Sequence, residues 1–273
     1  MPNYLLMLLV ILLSCLAVGA DVGANPALEW LNPEIVFCLS FDDESLYPDL
    51  SLGDVEPLSS SGEPSFVDGL YGKALLLGGP NGIMVNYQAA DNLELTKPGA
   101  LSFWMTPEDW IQADGEAKER PYLRFLHLQG VGAGYLFIQR QGFVNKTLAD
   151  GKLSKRSDMF QVGIYSFKDW QKQLLGAYDT IKWEKGEWRL FVVNWDRNGM
   201  SLSINGKQIT QTKYSRPLSE EDFPEPGSPK CLFRIGSGKS KETTRLDELI
   251  VYRRALSEEE ILKLYQAGMA KEK

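Results

Sequence analysis

Histidine is nearly absent from this chain: His127 is the single one in 273 residues. A lone imidazole cannot build a His-based zinc centre. A nucleophile–His–Asp triad would need a buried polar cluster that the apolar stretch YLRFLHL around His127 does not offer, so core or rim packing is its expected role. Cysteine is almost as scarce, with three residues and no C-x-x-C pair, and no Gly-rich phosphate loop is present. The glycines between Gly130 and Gly134 precede a strand pattern, and without a helix N-terminus they do not make a phosphate site. Positive charge is in the minority. Lys and Arg number 29 against 36 Asp and Glu, a net charge of -7 with pI near 5.0, which argues against nucleic acid as a partner. Disorder, collagen and coiled coil are excluded for the chain as a whole by 44% hydrophobic and 24% charged residues, proportions close to those of globular proteins.

Charge is missing altogether from the first 20 residues. Within them Leu5 to Val18 is almost continuously apolar, yet at roughly 14 residues it is shorter than the ~20 a membrane-spanning helix needs. It reads as the core of a signal peptide, with Val18-Gly19-Ala20 placing small residues for cleavage before Asp21. The segment MPNY lacks the usual Lys or Arg, so an uncleaved signal is an alternative. A lipid anchor on Cys15, in a weak lipobox-like Leu12-Leu13-Ser14-Cys15, is another. These are the two routes to a membrane; otherwise the product is secreted, periplasmic or on the cell surface. Cleavage leaves Cys38 and Cys231, which either form one disulfide across nearly the whole domain, worth about 4 to 5 kcal/mol in the chain-entropy description, or stay as two buried free thiols.

Residues 21–34, with two Asn-Pro dipeptides, read as a linker to a single domain over 35–273. Strand patterns dominate after it. Ile35, Phe37, Leu39 and Phe41 alternate with Val36, Cys38 and Ser40; residues 42–65 form a long polar loop; short apolar runs then recur at 70–77, 82–87, 100–105, 122–128, 134–140 and 159–165. Long helical patterns do not separate them, which favours a sandwich or jelly roll over βαβ units. In WRLFVVNWDRNGMSLSINGKQIT, turns at Asp196–Gly199 and Asn205-Gly206 predict a three-stranded meander. One helix is expected at the end, capped by Ser257 and Glu260, striped by Ile261, Leu264 and Tyr265, and stopped by Gly268.

Four stretches together resemble the laminin-G-like group of concanavalin A-type jelly rolls, especially bacterial secreted LamG-like domains. They are VFCLSFDDE, FVDGLYGKALLLGG, the pair SFWM and EWRLFVVNWDRNGMSLSINGKQI, and RLDELIVYRRALSEEEILKLYQAG. The last is the most specific, through Asp247, Glu248, Tyr252, Arg254, Ala255, Leu256 and Ser257; Ile250 departs from the pattern. The resemblance implies an all-β sandwich of two antiparallel sheets with first and last strands adjacent and a short C-terminal helix. It also implies a structural Ca²⁺ between Asp42 or Asp43 and Asp247, completed by loop carbonyls. The alternative is that these acids are solvated or paired with Arg245 and Arg253.

For function the resemblance implies a non-catalytic domain that binds glycans or a matrix component. Trp110, Trp170 and Trp183, which fall in polar stretches, are the candidate sugar-stacking rings, whereas Trp104, Trp188 and Trp195 alternate regularly and are expected in the core. The alternatives are a structural or protein-interaction module for an extracellular protein, and a glycosidase or polysaccharide lyase. Glu220-Glu221-Asp222-Phe223-Pro224-Glu225 has the E-x-D-x-x-E spacing of laminarinase-type enzymes. Pro217, Pro224, Pro226 and Pro229 around it are incompatible with a central strand and predict a loop instead.

Overall fold

A computed structural model describes residues 25, 27–110, 122–129, 134–141, 144–147, 153–156, 159–166, 172–179, 183–214, 216–222, 227–228 and 231–271. The signal-like segment, the expected cleavage point, Cys15 and Trp170 lie outside them.

Two antiparallel sheets pack face to face. The nine-stranded first sheet holds β1 (Ile35–Leu39), β2 (Leu50–Ser51), β4 (Phe66–Asp68), β5 (Lys73–Gly78), β7 (Gly99–Pro107), β14 (Arg189–Trp195), β15 (Gly199–Ile204), β16 (Lys207–Lys213) and β18 (Thr243–Tyr252). Its main path runs β16-β15-β14-β7-β18-β1-β2, with β5 also on β18 and β4 on β5. The seven-stranded second sheet includes β3 (Ser59–Ser61), β6 (Met84–Gln88), β8 (Tyr122–Gln129), β9 (Gly134–Gln141), β12 (Met159–Ser166), β13 (Lys172–Asp179) and β17 (Leu232–Ile235), in the order β13-β12-β9-β8-β17-β6-β3. A separate hairpin pairs β10 (Val144–Thr147) with β11 (Leu153–Arg156). This is the jelly-roll sandwich the strand patterns imply.

Alternation decides what enters the core. Phe37 of the first sheet meets Phe233 and Tyr87 of the second edge-on, at ring-centroid distances of 5.5 and 5.3 Å, and Phe160 stacks on Phe191 at 4.2 Å. Such pairs add about 0.5–1.5 kcal/mol each beyond the area they bury. The opposite face of the first sheet is also apolar where the C-terminal helix α2 (Glu258–Met269) lies on it, so β7 is buried along its whole length. Trp104, Leu190 and Val192 point to that helix, while Phe191, Val193 and Trp195 point inward.

The first and last strands are neighbours, as expected: Cys38 pairs with Ile250 and Leu39 with Leu249. The meander is also as expected, Asn205 and Gly206 taking φ of 52° and 78° at the second turn. Two expectations are corrected. The stretch read as a linker carries a short helix, α1 (Ala27–Trp30), and a 3₁₀ turn at Asn32–Glu34, and Leu31 is buried in the cluster under α2. Gly268 does not stop α2 but lies inside it, because a Cβ there would stand 2.1 Å from the Trp104 indole. Only glycine lets helix and sheet approach so closely.

Candidate functional site

The seam between the chain ends gathers buried acid. Register along β18 breaks between Asp247 and Ile250, where Glu248 adopts φ of 52°, a left-handed conformation that a non-glycine residue holds only when its surroundings enforce it. Asp247 is fully buried, and its Oδ2 accepts the backbone N–H groups of Leu70 (2.7 Å) and Tyr71 (3.0 Å). Asp42 Oδ1 accepts the N–H of Lys73 at 2.8 Å, so two carboxylates shape the turn that joins β4 to β5. Gly72 is required there, since φ is 56° and a Cβ would meet Asp42 Oδ1 at 2.0 Å. Glu248 Oε2 accepts from the Asn25 amide at 2.8 Å, tying the N-terminal stretch to the seam.

Of the four buried side-chain atoms left without a partner among the described residues, three lie at this seam: Asp247 Oδ1, Glu248 Oε1 and the Tyr71 hydroxyl. Burial raises both carboxyl pKa values. Repulsion from Glu248 adds to the shift of Asp247, and Asp42 and Asp49 add to that of Glu248, which is pushed to about 8. Orphaned carboxylate oxygens in such a field fit a hard, oxygen-loving cation such as Ca²⁺. Among the described residues no three Asp, Glu, His or Cys side chains converge as one ion site, so Asp247 and Glu248 would be the anionic ligands and loop carbonyls the remainder.

The seam thus differs in detail from the sequence expectation. Asp247 is its centre, Asp42 is an exposed turn-former beside it, and Asp43 is exposed. Glu248 was legible only as a family match, because a strict strand would point it away from Asp247. The alternative ion pairs do not form as expected: the Arg245 guanidinium engages Glu108 (Nε–Oε2 2.6 Å) and the carbonyl of Asp68, while the Arg253 N–H donates to the carbonyl of Glu34.

A second polar array lies on the face of the second sheet turned away from the core, with Arg124 and Arg234 half-buried and Asn86, His127, Gln139 and Gln161 only 5–8% exposed. The register aligns Asn86, Arg234, His127 and Phe137 in one row across β6, β17, β8 and β9, and Arg124, Gln139 and Gln161 in the next across β8, β9 and β12. A bulge between Arg124 and Leu126 turns both Phe125 and Leu126 inward and leaves Arg124 and His127 outward. Amides fix the array: Asn86 donates to Ser59 Oγ (2.9 Å), Arg234 Nε donates to Asn86 Oδ1 (2.7 Å), and Gln139 Nε2 donates to Gln161 Oε1 (3.1 Å). His127 is held neutral, its pKa lowered to about 3 by burial and by the Arg124 and Arg234 charges. Polar residues at outward positions of alternating strands are the sequence signal for this face, obscured in YLRFLHL by the bulge.

Of the expected tryptophan platform, the two rings within the described residues, Trp110 and Trp183, are buried rather than exposed. Trp183 is 0% exposed and Trp110 8%, and they pack edge to face at 4.9 Å inside the core. Trp110 donates to Thr244 Oγ1 (2.7 Å) with the Arg140 guanidinium 4.1 Å over its ring; Trp183 donates to the carbonyl of Glu187 (2.7 Å). Polar neighbours in sequence marked hydrogen-bond partners for the indoles rather than solvent. Cys38 and Cys231 are free and buried in different clusters, one beneath α2 and one in the central core, so the disulfide is corrected to two thiols. Burial raises both thiol pKa values, which keeps them protonated and unreactive. Glu220–Asp222 form a 3₁₀ turn in which buried Asp222 binds Arg216 and the N–H of Ser219, while Phe223 to Glu225 lie outside the described residues. A hollow of about 290 Å³ beside Asn194, Ser201 and Gln211 completes the outer features, but the Asn194 amide is committed to Leu256 through two hydrogen bonds.

The family model described as the concanavalin A-like lectin/glucanases superfamily matches residues 81–262, and the chain belongs to that superfamily. Domain 4 of an extracellular arabinanase from Geobacillus stearothermophilus, solved in complex with arabinotriose, is 18% identical, with a TM-score of 0.53 over 85% of this chain and 100% of that one. A structure of botulinum neurotoxin type C, whose cell entry is described as dependent on two ganglioside molecules, is 14% identical, with a TM-score of 0.60 over 88% of this chain and 53% of that one. The binding domain of botulinum neurotoxin DC in complex with rat synaptotagmin II is 13% identical, with a TM-score of 0.58 over 87% and 52%. This chain therefore spans about half the length of those toxin structures. At such identities the likeness is one of fold. No curated protein matches the chain by sequence.

Proposed function

We propose that this member of the superfamily is an exported, non-catalytic carbohydrate-binding domain that takes its glycan on the outward face of the second sheet and holds a structural Ca²⁺ at the acid seam. The observation that carries the reading is the fixed array of Asn86, Arg234, His127, Arg124, Gln139 and Gln161. A few convergent polar groups held on a rigid scaffold suit the recognition of sugar hydroxyls, whose donors and acceptors amides and guanidinium groups complement. The arabinotriose and ganglioside partners of the arabinanase domain and the type C toxin support sugar as a ligand for this fold, although fold alone does not assign one. Bound Ca²⁺ would lock β1, β18 and the β4–β5 turn together. Screening the chain against neutral and acidic polysaccharides tests the reading; retention on at least one is expected, and uniform silence would end it. Export would be seen as a protein recovered outside the cell with Asp21 at its N-terminus.

A second reading, docking to an extracellular protein, is favoured by one loop. Tyr47, Leu52, Val55 and Leu58 are exposed apolar side chains within twelve residues of chain, and the binding domain of botulinum neurotoxin DC, about half of which this chain spans, was solved in complex with synaptotagmin II, which supports a protein partner. Sedimentation at rising concentration checks it: self-association abolished by Leu52→Ser with Leu58→Ser would move the function to that loop. The glycosidase or lyase alternative has no observation in its favour, since its candidate acids begin in a turn rather than on a strand.

A further inference from the structure

We propose that the exposed apolar loop between β2 and β3 docks a basic, apolar segment of another protein, one of whose aliphatic side chains enters a hollow beside Leu52. The proposal rests on the protein-docking reading of that loop, names the chemistry of the partner, and is independent of the glycan face.

The loop is apolar on the outside and fixed underneath. It runs from the edge strand of the first sheet, β2, to the edge strand of the second, β3. Fully buried Asn92 holds its near end: Oδ1 accepts the Ser51 hydroxyl (2.6 Å) and the Gly53 N–H (3.1 Å), and Nδ2 donates to the carbonyls of Asp54 (3.0 Å) and Gln88 (3.1 Å). At the far end the Leu58 N–H donates to the carbonyl of Asn86 at 2.9 Å. Leu52, Val55 and Leu58 therefore stand exposed on backbone that a partner need not order, which lowers the entropic cost of docking. Leu52 also forms one wall of a hollow of about 150 Å³ whose other apolar walls are Val36, Leu93, Pro98, Trp195 and Val251. The Trp195 indole is fixed by donating to the carbonyls of Glu94 (3.2 Å) and Lys97 (2.9 Å). An apolar hollow beside exposed leucines is the arrangement that takes an anchor side chain at an interface.

Charge selects the occupant. No Lys or Arg precedes Lys73, and residues 42–72 carry eight Asp and Glu, as much negative charge as the net -7 of the whole chain. Asp54 and Glu56, on either side of Val55, are exposed and form no ion pair among the described residues. At the hollow, Lys97 is paired with Glu94 at 2.8 Å, which leaves Arg253 as the other cation on its rim. Two copies of this chain meeting loop to loop would press these acids together, whereas a cationic segment meets them with complementary charge.

The test measures binding of short fluorescent peptides to the full chain: one alternating Lys and Leu, one with Glu in place of Lys, and one with Ser in place of Leu. The Lys/Leu peptide is expected to bind at least about tenfold more tightly than either of the others, and to weaken as salt rises. Leu52→Ser/Leu58→Ser should reduce that binding about tenfold or more, the scale of one leucine side chain withdrawn from an apolar contact. Asp54→Asn/Glu56→Gln should weaken it at low salt and flatten its salt dependence. Glu184→Gln/Glu259→Gln, an equal change of charge at exposed positions elsewhere, should leave it unchanged. Leu58→Ser alone serves if the double leucine variant folds poorly. Equal binding of the Glu/Leu peptide, or equal loss in the Glu184/Glu259 control, overturns the basic partner while leaving apolar docking in place. Self-association abolished by the leucine pair makes the occupant a second copy and likewise overturns only this inference. Binding unchanged in both loop variants, or silence of all three peptides with a monomeric chain, removes the docking reading as well, and the glycan screen is decided separately from all of these.

Discussion

His127 shows how one side chain carries a measurable pH dependence. Its folded pKa is depressed to about 3 from an ordinary value near 6.5. The folded chain therefore excludes a proton that the unfolded chain binds, so the stabilisation is fully present above pH ~6.5 and is lost as pH falls toward 3. At pH ~5.5 the contribution has fallen by about 1.4 kcal/mol. Glu248 shifts the other way, to about 8, and opposes it over part of the same range. The expected outcome is therefore a difference: urea unfolding of wild type and His127→Gln should converge by about that amount between pH ~7.5 and ~5.5, and parallel pH profiles would contradict the burial of a neutral ring. The same lesson applies to Trp110 and Trp183. Polar sequence neighbours suggested exposure, yet each indole N–H found a partner within the fold and the rings went inward.

At the scale of elements, α2 was readable almost to the residue because its signals are local. Ser257 accepts the Glu260 N–H (3.2 Å) while Glu260 Oε2 accepts the Ser257 N–H (2.8 Å), the reciprocal cap that the four-residue spacing implies. Its far end was misread because the reason for Gly268 lies on β7, more than 160 positions away in sequence. Gly268→Ala is expected to destabilise the chain by about 1–3 kcal/mol, the range for forcing extra volume into a packed interface. Thermal melting checks this, and an unchanged or raised midpoint would mean that helix and sheet do not meet at that point. The meander was equally legible, since Asn205-Gly206 supplies its own turn chemistry. The bulges at Glu248 and at Arg124–Leu126 were not, because a register shift is set by the neighbouring strand, and both polar sites depend on one.

For the whole molecule, fold class and the adjacency of the chain ends could be read because patterned strands spread over the entire chain and its terminal motif is specific. The sites could not, since they arise from residues far apart in sequence: Asn25 with Glu248, and Asn86 with Arg234. Closure at the seam predicts a cation response. At a Ca²⁺ concentration about 100-fold above its dissociation constant the gain is about 2.7 kcal/mol, or roughly 5–10 °C in Tm for a chain of this size. Asp247→Asn should abolish the difference between calcium and EDTA, whereas superimposable wild-type melts would remove the metal.

The most direct test of the central claim, that glycan binds on the outward face of the second sheet, is affinity electrophoresis of paired variants in a gel containing a polysaccharide that retards the wild type. Gln139→Ala/Gln161→Ala should migrate freely while Ser201→Ala/Gln211→Ala, beside the hollow on the first sheet, stays retarded. Retardation kept by the former and lost by the latter would place the ligand on the other side of the sandwich and contradict the account.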